Sequence, residues 1–112
     1  MPRNYKLYLR DLLEAWERIQ EYTKNMSLSD FERSNITIDA VVRNLEVIGE
    51  AARKLPPEIK SKSPEIEWPK IVALPNILTH EYFGVNSQIV WDVVQNKLRP
   101  ISDACIKLLE SV

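Results

Sequence analysis

The stretch Ile38-Asp39-Ala40-Val41-Val42-Arg43-Asn44-Leu45-Glu46-Val47-Ile48-Gly49-Glu50-Ala51-Ala52-Arg53-Lys54-Leu55 decides the fold class. Its apolar residues Ile38, Val41, Val42, Leu45, Ile48, Ala52 and Leu55 return mostly at steps of three and four, the period of one helix face. A strand would alternate at every second residue. Gly49 lies within the stripe. Glycine costs a helix about 1 kcal/mol against alanine, so its presence predicts the close approach of a neighbouring helix. Pro56-Pro57 ends the helix, because a residue before proline is pushed out of the α region.

On the N-terminal side, Ser29-Asp30-Phe31-Glu32 predicts a capping box, with Ser29 as N-cap and Glu32 at the third helical position. The helix so begun runs to Leu55, with a break at Ser34-Asn35. A first helix is predicted over residues 4–25. Tyr5, Tyr8, Leu9, Leu12, Trp16 and Ile19 share its inner face, while Asp11, Glu14, Glu17 and Arg18 face water. On the C-terminal side, residues 56–67 read as a connector with one short helical turn. Pro69 suits a first helical position, so a third helix is predicted from Trp68 to Phe83, with Gly84 as the residue after its end. Asn86 or Ser87 caps the last helix. Ile89, Val90, Val93, Val94, Leu98, Ile101, Cys105, Leu108 and Leu109 supply its apolar side. Pro100 lies within that helix and is expected to kink or divide it. The pattern describes an all-α, four- to five-helix up-and-down bundle, a single helical domain over 1–112. Its stripes are wide, and dimerisation would bury the excess.

Composition narrows the chemistry. At 45% hydrophobic and 28% charged, the 112 residues read as globular rather than disordered. Two glycines are too few for a turn-rich β fold or a glycine-rich phosphate loop. One cysteine and one histidine exclude an internal disulfide and a structural zinc site. They also exclude the di-iron bundle pattern, which needs Glu-x-x-His twice. Glu46 and Glu50 read as part of a charged helix surface. No metal and no cofactor is expected. No apolar run approaches the roughly 20 residues of a membrane span, and the N-terminus lacks an apolar signal core. A cytoplasmic protein without membrane contact is the expectation. Net charge is −1, so no bulk field draws nucleic acid, and any RNA contact needs a local positive cleft.

His80, in Asn76-Ile77-Leu78-Thr79-His80-Glu81-Tyr82-Phe83, is the residue suited to proton transfer near neutral pH. On a helix Asn76, His80 and Phe83 share a face, and Tyr82 stands about 200° round from His80. An amide such as Asn76 can orient a phosphate or the imidazole. A lone histidine also fits a polar niche between helices, and the local pattern leaves both readings open.

The longer segment Trp68-Pro69-Lys70-Ile71-Val72-Ala73-Leu74-Pro75-Asn76-Ile77-Leu78-Thr79-His80-Glu81-Tyr82-Phe83-Gly84-Val85-Asn86, followed by Ile89-Val90-Trp91, resembles the HepT-like branch of the HEPN domains. So does Arg43-Asn44-Leu45-Glu46-Val47-Ile48-Gly49-Glu50-Ala51-Ala52. The similarity spans nearly the whole chain. It implies an all-α homodimer that is the toxin of a type VII toxin–antitoxin module. It implies a metal-independent endoribonuclease whose two motifs meet across the dimer cleft. The partner implied is a minimal nucleotidyltransferase antitoxin, which neutralises the toxin by transferring AMP to the motif tyrosine. By position the polar motif residue is Asn76, the histidine is His80 and the AMP acceptor is Tyr82. The motif arginine falls at position 75, where this chain has Pro75. Arginine would grip the scissile phosphate with forked hydrogen bonds; proline has neither charge nor N–H. Two readings follow from that departure. Arg43 or Lys70 supplies the phosphate-binding cation and the chain cleaves RNA, or the chain is a catalytically degenerate, non-enzymatic dimeric partner of the nucleotidyltransferase.

Overall fold

The computed structural model describes residues 5–74 and 86–110. Helix α1 covers Tyr5–Thr23, α2 Leu28–Glu32, α3 Asn35–Lys54, α4 Pro57–Lys60 and α5 Trp68–Val72. Helix α6 covers Ser87–Asp92, a π-helical turn Val93–Lys97, and α7 Leu98–Glu110. No strand occurs among the described residues, and the all-α expectation holds.

Helices α1 and α3 form the central pair. The predicted stripes are the buried faces: Leu9, Leu12 and Ile19 from α1 meet a core containing Val41, Leu45 and Ile48 from α3. Burying each such side chain contributes roughly 1.5–3 kcal/mol relative to exposure. The two helices run antiparallel, since Lys54 near the end of α3 stands over Tyr8 near the start of α1. Helix α7 packs along α1, and α5 packs on α3. Gly49 is buried on α3, as are Leu45 and Ala52.

The entry to α2 differs from expectation. Its N-cap is Ser27, not Ser29, and the third helical position is Asp30, not Glu32. Ser27 Oγ accepts from the Asp30 N–H at 3.1 Å, and the Asp30 carboxylate accepts from the Ser27 N–H at 3.1 Å. Both frames satisfy the polar pattern, and the apolar flanks separate them. Capping from Ser27 places Met26 before the cap and Phe31 at the fourth position, an apolar pair able to clamp the turn. Capping from Ser29 would place Arg33 there. Phe31 is fully buried and Met26 packs against the core. The Ser27 backbone N–H and hydroxyl hold the Asp30 carboxyl below its usual range. A lowered carboxyl stabilises the fold above the ordinary aspartate pKa, and this contribution fades as pH falls through the folded value. Ser27→Ala is expected to cost about 1 kcal/mol, and Ser29→Ala less than about half that. Urea denaturation of the two variants checks this, and the reverse order would restore the Ser29 cap.

The break at Ser34-Asn35 is present. The Ser34 side chain accepts from the Thr37 N–H at 3.2 Å and caps α3. In the connector, the Trp68 indole N–H donates to the Lys60 and Ser63 carbonyls at 3.1 and 3.2 Å, tying the start of α5 to the end of α4. Helix α5 stops at Val72, whereas the pattern predicts continuation from Trp68 to Phe83. The α5 turn closes at Ala73, whose N–H bonds back to the Ile71 and Pro69 carbonyls, and Leu74 is again helical, so the restriction that Pro75 places on its neighbour does not account for the break. The remainder of that expected helix and the Gly84 terminus lie outside the described residues. At the other proline, the α-helix persists through Pro100. The disturbance is the π turn just before it, which contains Asn96, the carbonyl that the proline ring would crowd.

Candidate functional site

Asn76, His80 and Tyr82, with Pro75, lie outside the described residues; both flanks of their segment are described. On the near side, Trp68, Ile71 and Leu74 are buried. On the far side, Asn86 caps α6 as expected, its Oδ1 accepting from Gln88 N–H at 3.0 Å and Ile89 N–H at 3.2 Å. Val90 is buried one turn later. Phe31 and Trp91 meet with ring centroids 5.2 Å apart, joining α2 to α6. Both flanks of the motif segment are therefore pinned to the core.

The two candidate substitute cations line separate clefts. Arg43 is exposed on α3 and faces the α1–α3 groove together with Asp11, Glu46 and Glu50. Lys54 lies in the same groove, its Nζ 5.7 Å from the Tyr8 ring centroid. Lys70 lines a cavity of about 560 Å³ between α5 and the π turn. Its floor is apolar, with Ile71, Leu74 and Ile101, and Pro75 follows Leu74 directly in the chain. The rim carries Glu65, Glu67, Asn96 and Lys97 as well as Lys70. Lys70 is ion-paired with Glu67 at 2.5 Å. The Glu67 carboxyl is held below its usual range, first by the Lys70 hydrogen bond and charge, and further by the charge of Lys97. Lys97 and Asn96 had no sequence motif to mark them. The signal was Pro100, whose π turn changes which residues of that helix face the cavity.

Cys105 is buried among the core residues, and burial pushes its thiol up to about 12. It packs as a small apolar residue and is no nucleophile at neutral pH. Among the described residues no group of three or more His, Cys, Asp or Glu side chains is placed to hold a metal. No helix of the described residues is long and apolar enough to cross a membrane.

These helices define an all-α bundle domain with a motif segment running between two pinned helices. The family model described as ribonuclease HepT-like matches residues 12–108, a span that contains Arg43, Lys70, Asn76, His80 and Tyr82. A relative named "Probable ribonuclease HepT", from Thermococcus cleftensis, is 37% identical over 108 residues, covering 96% of this chain and 98% of its own. A relative from Methanocaldococcus jannaschii, named "Gamma-glutamylcyclotransferase and putative RNase", is 37% identical over 112 residues. That match covers 100% of this chain and 50% of the relative, so this chain spans half of that protein's length. No solved structure matches. The chain belongs to the HepT-like ribonuclease family of HEPN domains.

Proposed function

We propose that this chain is a metal-independent endoribonuclease working as a homodimer, the toxin of a type VII toxin–antitoxin module. The observation that carries the reading is the family match across residues 12–108, which includes the Asn76-x-x-x-His80-x-Tyr82 pattern. In the proposed reaction His80 accepts the proton of an RNA 2′-hydroxyl. The 2′-oxygen forms a bond to the adjacent phosphorus, and the bond from phosphorus to the 5′-oxygen breaks. The partner subunit's His80 donates the proton that the leaving 5′-oxygen takes up. Asn76 positions the phosphate or the imidazole. Arg43 or Lys70 supplies the substitute cation: Arg43 shares its groove with Asp11, Glu46 and Glu50, and Lys70 is paired with Glu67. A nucleotidyltransferase antitoxin turns the site off by transferring AMP from ATP: the Tyr82 hydroxyl oxygen bonds to the α-phosphorus, loses its proton, and pyrophosphate leaves. The added phosphate repels RNA by charge and the nucleoside blocks it by volume.

Pro75 favours a second reading, a non-enzymatic dimeric partner of the nucleotidyltransferase. Incubation of purified protein with RNA in EDTA separates the two: the enzyme cleaves, the degenerate partner does not. Pro75→Arg is expected to raise cleavage by at least tenfold, since even one preorganised hydrogen-bond donor to developing negative charge is worth roughly 10²–10³ in rate elsewhere. Wild type and Pro75→Arg that both leave RNA intact would establish the non-enzymatic reading.

A further inference from the structure

The net charge of −1 means that any hold on a polyanion must come from a local patch. The Arg43 groove carries Asp11, Glu46 and Glu50, and the Lys70 cavity carries Glu65 and Glu67. A further α1–α3 groove carries Asp11 and Glu14. A fourth cleft, of about 270 Å³, differs: its described lining contains Lys24 and Arg99 and no carboxylate. It lies between the C-terminal end of α1 and the π turn. Gln20, Asn25 and Gln95 add amide groups, and the half-buried Trp16 closes the cleft from the side of the core.

Local structure explains how these residues converge. Asn25 takes a left-handed conformation, φ 62°, which turns the chain sharply after α1. The π turn brings Gln95 to the cleft, and Arg99 follows one turn later on α7. Neither Lys24 nor Arg99 forms an ion pair with a described residue. The carbonyl end of α1 contributes about half a negative charge, which two full positive charges outweigh. Cations free of carboxylate partners among the described residues, together with amide donors, are elements with which proteins hold the phosphate backbone of nucleic acid.

We infer that the Lys24–Arg99 cleft is a second RNA-binding subsite, holding backbone phosphates of single-stranded RNA away from the cleaved bond. Arg99 and Lys24 neutralise phosphate, and the amides donate to its oxygens. The inference rests on the ribonuclease reading for its choice of ligand.

The test uses a labelled, single-stranded oligoribonucleotide with 2′-O-methyl groups, which binds but has no free 2′-hydroxyl to react. Anisotropy titrations across a salt series compare wild type with Lys24→Gln/Arg99→Gln. Both residues are exposed, so the melting temperature is expected to stay at the wild-type value. Affinity at low salt is expected to fall several-fold. The slope of log affinity against log salt is expected to flatten by roughly 0.7 for each phosphate contact removed. Unaltered affinity and salt slope in the double variant overturn the subsite, whether or not the wild type cleaves RNA. Weakened binding to an acidic peptide with unaltered RNA binding also overturns it, in favour of a protein contact. A wild type that binds the oligonucleotide through these two residues yet cleaves no RNA supports the subsite and removes the ribonuclease reading instead.

Discussion

His80→Ala is expected to lower RNA cleavage by about 10²–10⁴-fold, the usual worth of a positioned general acid or base. The effect is read in single-turnover cleavage with EDTA present, so that contaminating metal nucleases contribute nothing. Binding of the 2′-O-methyl oligonucleotide should change little, because the imidazole acts on the proton in flight rather than on the backbone as a whole. One histidine acting as base and its counterpart across the dimer as acid would give a bell-shaped dependence of rate on pH. Cleavage at the wild-type rate by the alanine variant would end the His80 mechanism. The cleavage motif would then have to be sought among other residues.

Phe31→Ala is expected to cost about 3–5 kcal/mol of folding stability, the range for emptying a buried aromatic site. Phe31 is 0% exposed and its ring lies 5.2 Å from that of Trp91. The substitution therefore removes core volume and the aromatic contact between α2 and α6 together. Domains of this kind are stable by only about 5–15 kcal/mol, so the loss should move the urea midpoint far while leaving the slope of unfolding unchanged. Ile36 gives the control. It is equally apolar but 85% exposed, and Ile36→Ala should stay within about 0.5 kcal/mol of wild type. A loss below about 1 kcal/mol for Phe31→Ala would mean that the α2–α6 contact carries little of the fold.

The chain's helical character was legible wherever one face repeated over many turns. Leu9, Leu12 and Ile19 on α1, and Val41, Leu45 and Ile48 on α3, were marked by spacing and are buried. The Asn86 cap was legible for the same kind of reason, since a capping amide and the helix that it serves are neighbours in sequence. The Ser27 cap was misplaced by two residues because two overlapping polar patterns satisfy one rule. Only the burial of Phe31 separates them. The end of α5 at Val72 was missed because apolar periodicity continues beyond it, while the chain closes a turn at Ala73 and resumes helix at Leu74.

The motif around His80 came from the sequence alone, and the family match over residues 12–108 supports its placement in the HepT-like ribonucleases. The roles given to Asn76, His80 and Tyr82 came from the resemblance of that segment to the family, since spacing alone left the part played by the histidine open. The cations around that chemistry could not be read so. Arg43 and Lys70 were named together, and the tertiary structure puts them on separate clefts, one with Asp11, Glu46 and Glu50 and the other with Glu65 and Glu67. Lys24 and Arg99 are far apart in the chain, and only the packing of α1 against α7 brings them to a common lining. Helix period and capping act over a few residues and are written in local order. A charged cleft is a sum over side chains from several helices, and its sign exists only once those helices are packed.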